Sequence, residues 1–248
     1  MIKGREGLQR AYQDAGVAHA YVARRFRSPL GALLHARQAR AIRRVIRRQG
    51  ITRAVELAPG PARLTVDTAP ILDRVTLIDA SSEMLVEARR RLDARGLSGR
   101  LHYVRADAFR LPLRSTVECV YSFRLIRHFE RTDRVRLYRQ IGGILRPGGW
   151  LLFDAVNAET SAPLRARAQP GEYAHFDALT SPDELRDELQ EAGFHLVSLH
   201  GVQHHIGTLN ACQIYVAPRS RLLARVLMEV VDRLGGAPLE WVVVCRRA

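Results

Sequence analysis

At 248 residues and 47% hydrophobic content the chain can bury a sizeable core, which excludes a disordered or fibrous protein. Its net charge of +14 is uneven: residues 1–50 hold eleven arginines and Lys3 against Glu6 and Asp14. No apolar run reaches a membrane span of roughly 18 residues and the first residues lack a signal-peptide core, so a cytoplasmic setting is expected.

Residues 8–48 have a helical pattern, broken at Ser28-Pro29, and residues 1–49 are expected to form an N-terminal helical cap. In its second segment Arg37, Arg40, Arg44 and Arg47 recur at three- and four-residue steps and share one face. After Gly50 short apolar runs alternate with helical stretches. Strands are expected at 52–57, 74–79, 101–104, 117–123, 150–156, 194–200 and 239–245. Helices are expected near 62–71, 81–95, 131–145, 182–192 and 219–234. This alternation predicts an α/β fold, Rossmann-like and doubly wound, with a mostly parallel seven-stranded sheet over residues 50–248. The polar tract at about 157–181 is too long for a simple connection and is expected to form a lid or wall.

The stretch "VELAPGPARLT" (55–65) has the form of a strand end, a tight turn of small residues and a helix start. A dinucleotide turn uses G-x-G-x-x-G, whose backbone N–H groups hold a pyrophosphate. Here those positions are Ala58, Gly60 and Arg63, and Pro59 and Pro61 carry no N–H at all. A P-loop is excluded because no G-K-[ST] follows. Glu56 at the strand end disfavours a phosphate and favours a cation. These features suit a cofactor without phosphate that carries an amino cation and a sulfonium.

"VELAPGPA" resembles the E/D-x-G-x-G-x-G motif of class I S-adenosylmethionine-dependent methyltransferases of the small-molecule, type 11 group. Alanine stands in the first and third glycine slots, where each methyl is expected to narrow the cofactor's room, and Gly60 keeps a position where no side chain fits. Three further stretches match in order. In "VTLIDASSEML" Asp79 lies 23 residues after Glu56, where the family's acid takes both ribose hydroxyls. Ala80 and Met84 follow where the family packs the adenosine. In "VRADAFRLPL" the resemblance implies that Asp107 accepts from the adenine amino group and that the Ala108 N–H donates to the ring. "YSFRLIRHF" follows the fourth strand, and the resemblance implies that Phe123 lies beside the cofactor. The resemblance implies S-adenosyl-L-methionine as cofactor and methyl transfer to oxygen or nitrogen of a small acceptor, lipid- or sugar-like.

Methyl transfer needs a nucleophile held in line with the sulfonium and, for a hydroxyl, usually a base. His128, just after the fourth strand, is the expected catalytic base. Tyr12 and Tyr21 are expected to close over the pocket. Tyr173, His175 and Asp177 alternate along the insert and would face one way; Tyr173 and His175 are expected to touch substrate. Asp154 and Asn157 are further polar candidates at the fifth strand's end. His195, His200, His204 and His205 lack ligand spacing, so no metal is expected. A nucleic-acid partner or an anionic surface is compatible with the basic N-terminal face. An RNA or protein methyltransferase is the runner-up, set back by scarce aromatics and no recognisable RNA-binding domain. A third reading is a cofactor-binding protein with non-methylating chemistry.

Overall fold

The first helix begins at the break expected after Ser28. The Gly31 N–H donates to the Ser28 hydroxyl at 3.1 Å, and Pro29, with no N–H to satisfy, opens helix α1 (Pro29–Arg48). The computed structural model describes residues 4, 7, 16, 26–113, 116–169, 171–173 and 175–248. Tyr12 and Tyr21 lie outside the described residues.

Strands and helices then alternate as β1 (Arg53–Leu57), α2 (Thr65–Thr68), β2 (Arg74–Asp79), α3 (Ser82–Asp93), β3 (Leu101–Arg105), β4 (Val117–Ser122), α4 (Arg131–Ile144) and β5 (Leu145–Asn157). Further on come α5 (Ala158–Ala166), β6 (Leu179–Thr180), α6 (Pro182–Glu191), β7 (Phe194–His204), α7 (Ile206–Ala211), α8 (Arg221–Arg233) and β8 (Pro238–Arg247). The sheet order is β3-β2-β1-β4-β5-β8-β7. The first five strands on that path run parallel, and β8 is antiparallel to both β5 and β7. From β1 the chain moves outward to β3, then returns to β4 and proceeds the other way. The loops after β1 and β4 therefore separate, which opens a crevice at their carboxyl ends.

Alternate residues of β1 serve opposite faces of the sheet. Val55 and Leu57 pack in a cluster with Leu137 and Ile141 of α4 and Leu185 and Leu189 of α6. Ala54 packs in another with Ile42 and Ile46 of α1. Burying each such aliphatic side chain contributes roughly 1.5–3 kcal/mol, so α1 is held to the sheet by its own core residues.

Two expectations need correction. The sheet has eight strands rather than seven, because two-residue β6 pairs with Val156 and Asn157. Those residues lie past Phe153, the last partner of β4, so the insert returns over the end of β4. A strand of two residues leaves no alternation to detect. The helix expected over 62–71 is helical only at Thr65–Thr68 and tightens to a 3-10 turn at Ala69–Ile71. Pro70 accounts for this, since its ring removes a donor and crowds the preceding turn.

Candidate active site

The β1–α2 turn is the first wall of the crevice. Ala58, Gly60 and Ala62 all take the left-handed conformation, with φ of 53°, 53° and 54°. The Ala58 N–H donates to the Ile78 carbonyl at 2.7 Å and that of Ala62 to the Pro59 carbonyl at 3.1 Å. The Gly60 N–H donates to Asp79 Oδ2 at 3.1 Å. A Cβ on Gly60 would meet only Met84 Sδ at 3.8 Å, an ordinary contact. Crowding therefore does not demand glycine here; its φ favours glycine, although Ala58 and Ala62 bear the same φ at a cost in strain. The two alanines also differ from expectation. Ala58 lines the crevice, but Ala62 is wholly buried beside Leu77, Leu85 and Ala88 and takes no room from a ligand.

Two carboxylates face this turn. Glu56 is buried, and the Thr65 hydroxyl donates to its Oε2. Burial pushes its pKa up to about 7, against the Thr65 hydrogen bond and the charge of Arg63. Asp79 accepts from the Ser81 N–H at 2.9 Å besides that of Gly60. Burial raises it to about 6 despite those donors. A pair of acids so short of compensation favours a ligand that brings positive charge and hydroxyl donors.

Around them lie Leu57, Ala80, Met84, Asp107, Ala108, Phe109 and Phe123, in a crevice of about 1040 Å³ with its open mouth included. Glu56, Ala58, Gly60, Asp79, Ala80, Met84, Asp107, Ala108 and Phe123, expected to hold the cofactor, all line it, and so does His128. Asp107 Oδ1 accepts from the Phe109 N–H at 3.0 Å, which fixes the turn after β3.

His128 sits in a 3-10 turn, Ile126–His128, with its side chain buried. Its Nδ1 lies 2.7 Å from the Phe176 carbonyl and 3.0 Å from Asp177 Oδ1. Both oxygens can only accept, so Nδ1 carries a proton and donates. Nε2 is buried and has no hydrogen-bond partner among the described residues. In the neutral ring that atom holds a lone pair.

The insert supplies both acceptors and is itself anchored. The Ala178 N–H donates to the Arg127 carbonyl at 2.7 Å. Arg127 Nε donates to Asp177 Oδ1 at 2.8 Å, and its Nη1 to Asp154 Oδ2 at 3.1 Å and Glu240 Oε1 at 2.5 Å. Arg165 Nη2 adds a 2.7 Å bond to Asp177 Oδ2. Burial works to raise Asp177, but the His128 hydrogen bond and the Arg127 charge outweigh it and hold the carboxyl well below its ordinary range.

Other sequence candidates lie apart from the crevice. Tyr173 and His175 do not line it; the Arg165 guanidinium sits 4.4 Å from the Tyr173 ring centre, and the His175 ring lies 5.7 Å from that of His128. Asp154 belongs to the Arg127 cluster, and Asn157 caps α5 and donates to the Pro238 carbonyl. Arg37 leaves the shared arginine face, as α8 binds it through Asp232 at 2.6 Å and Glu229 at 2.9 Å. Among the described residues no three His, Cys, Asp or Glu side chains gather to hold a metal. None of their helices is long and apolar enough to cross a membrane.

Arg63, on the crevice wall, and Arg127, which anchors the insert, are neighbours of the site that the sequence reading missed. Arg63 lines the crevice, donates to Gln38 Oε1 at 2.6 Å, contacts His35 Nδ1 at 2.8 Å and stacks on Phe26. Its partners lie 25 and 28 residues away on α1, so no local pattern marks it.

Residues 54–149 match the family model described as a methyltransferase domain. An O-methyltransferase of Pyrenophora dematioidea is 31% identical over 134 residues, 53% of this chain and 49% of that protein. The O-methyltransferase cnsE of Penicillium expansum is 28% identical over 190 residues, 73% of this chain and 66% of that one. The chain thus spans about half of the first relative's length and 66% of the second's. Magnesium protoporphyrin IX methyltransferase from Synechocystis PCC 6803, solved with bound SAH, gives a TM-score of 0.68 at 10% identity, covering 97% of this chain and 98% of that one. At that identity the likeness establishes the shared fold.

Proposed function

We propose that the protein, whose residues 54–149 match the methyltransferase-domain family, is a class I S-adenosylmethionine-dependent enzyme that methylates an oxygen of a small hydroxylated acceptor. S-adenosylmethionine supplies the activated methyl. The observation that carries the oxygen assignment is the orientation of His128. Its Nδ1 proton is committed to Phe176 and Asp177, which leaves Nε2 as a buried lone-pair acceptor without a partner among the described residues, in a side chain that lines the crevice. A hydroxyl hydrogen-bonded there would pass its proton to the imidazole as its oxygen takes the methyl and the methyl–sulfur bond breaks, leaving the neutral thioether, and the anionic Asp177 would stabilise the imidazolium.

Glu56 receives the cationic amino acid end, and Asp79 offers its remaining lone pairs to the ribose hydroxyls. Asp107 and the Ala108 N–H would read the adenine, and Met84 and Phe123 would offer it apolar surface. The Pro59 and Pro61 positions suit this cofactor, because no phosphate asks the turn for N–H donors. The acceptor is lipid- or sugar-like, and the three free cysteines suit action in the cytoplasm.

The test supplies the purified protein with methyl-labelled S-adenosylmethionine and a panel of hydroxylated small molecules, read by mass spectrometry. Labelled methyl ethers, lost in His128→Ala with cofactor binding retained, are expected. Label appearing only on nitrogen or carbon, or turnover undiminished in that variant, would remove the oxygen assignment and the base.

A further inference from the structure

Helix α8 turns only part of its circumference toward the protein. Ala224, Met228 and Asp232 are buried, while Leu222, Leu223, Val226, Val230 and Leu234 are between 50% and 75% exposed. Tyr215, in the π-helical turn just before it, is 66% exposed. A continuous apolar ridge of this kind is costly in water and calls for a covering.

The charge around the ridge says what covers it. Arg219, Arg221, Arg225 and Arg233 are interspersed with the ridge residues along the chain, and residues 206–236 contain just two acids, Glu229 and Asp232. Asp232 is buried against Arg37 and His204. Glu229 is held by Arg37 at 2.9 Å, Arg233 at 3.1 Å and Arg40 at 4.0 Å. The neighbouring α1 adds Arg43, Arg44, Arg47 and Arg48, which line a surface groove. Among the described residues no carboxylate comes within ion-pair distance of any of these four; Asp67, which also lines the groove, pairs with His35.

A second copy of the chain would set two ridges with the same positive rim against each other. A nucleic acid would use the arginines and leave the aliphatic side chains in water. An anionic bilayer accepts both, the aliphatic residues below the headgroups and the guanidiniums among the phosphates. We infer that α8, with the arginines of α1 beside it, docks the protein on an anionic lipid surface, the helix lying in the headgroup plane. The docked face and the crevice share α1, which braces Arg63 through His35 and Gln38. This inference does not depend on the methyl-transfer reading.

The test is co-sedimentation of the full chain with phosphatidylcholine vesicles, with and without phosphatidylglycerol. Binding to the phosphatidylglycerol vesicles is expected, weakening with added salt. Leu222→Asp with Val226→Asp should lower it more than tenfold without moving Tm, since both side chains are exposed. Arg44→Gln and Arg47→Gln should each lower it about fivefold. Failure of the full chain to sediment with either vesicle, or undiminished binding by the aspartate variant, overturns the proposal. So does self-association that the aspartate variant abolishes, or vesicle binding gained only when residues 1–25 are deleted. RNA binding that the aspartate variant keeps, in the absence of vesicle binding, gives the arginines to nucleic acid and also overturns it.

Discussion

Glu56, Gly60 and Asp79 reach the crevice from 24 consecutive residues, whereas His128 is oriented by Phe176 and Asp177, almost fifty residues further on. The cofactor side is made of two adjacent parallel strands and the turn between them. Its groups are fixed by backbone geometry, with the Gly60 and Ser81 N–H groups holding the Asp79 carboxylate. The side proposed for the acceptor is bounded by His128 and by an insert pinned to the strand tips through buried ion pairs around Arg127. A cofactor common to many proteins can be held by a local motif. An acceptor particular to one protein is met by chain segments brought from a distance. The two sides should therefore fail separately.

His128→Ala is the largest expected break. Loss of a general base lowers kcat by about a hundred- to ten-thousand-fold, while cofactor Kd, measured by calorimetry, should stay as in wild type. A parallel loss of cofactor binding would show that the two sides are not separable. Asp79→Ala is next and acts in the opposite sense. Removing charged hydrogen bonds to a ribose should weaken cofactor binding about 10- to 150-fold. Part of that loss comes from the Gly60 N–H, which also loses its acceptor. Unchanged Kd in this variant would move the cofactor elsewhere.

Proton linkage sharpens the same comparison. Glu56, raised from 4.5 to about 7, must be ionised to hold a cation, so binding releases a proton below that pH. Cofactor affinity should fall by up to about tenfold per pH unit below 7, and Glu56→Gln should flatten that slope. Without cofactor the sign is reversed. A carboxyl whose folded pKa is raised stabilises the fold fully below its unfolded value. That contribution, on the order of 3 kcal/mol, is lost as pH rises from 4.5 toward 7. Thermal melts should accordingly show cofactor stabilising the protein more at pH 8 than at pH 6. A flat pH response of both affinity and Tm would contradict the Glu56 assignment.

These contrasts follow what could be read in the amino-acid sequence. The strand pattern, the Glu56–Asp79 spacing and the proline-interrupted turn are local, and nine residues inferred from them line one crevice. His128 was reachable because it closely follows β4. The tether formed by Arg127, Asp154, Asp177 and Glu240 was not, since its carboxylates come from three distant segments and periodicity records no such pairing. Strand β6 was too short to alternate. The arginine spacing on α1 grouped Arg40, Arg44 and Arg47, which line one groove, but could not show that Arg37 is drawn away by α8.

The smallest effect tests the motif's two departures from glycine. Ala58 and Ala62 have almost the same φ, 53° and 54°, so each carries left-handed strain of about 1–2 kcal/mol that glycine would not. Glycine returns roughly 0.5–1 kcal/mol of that through the entropy of the unfolded chain. Ala58→Gly should therefore stabilise the protein by about 0.5–1 kcal/mol, a rise in Tm of roughly 1–4 °C. Its methyl lines the crevice, so the same change gives the cofactor more room. At Ala62 the methyl is fully buried beside Leu77 and Leu85, and removing it forfeits about 0.8 kcal/mol of transfer free energy plus a small void. Ala62→Gly should lie about 1 kcal/mol below Ala58→Gly, leaving it near neutral or slightly destabilising, with cofactor affinity unmoved. Equal Tm shifts in the two variants would mean that strain alone governs both positions. A change in cofactor Kd at Ala62 would mean that its methyl reaches the ligand after all.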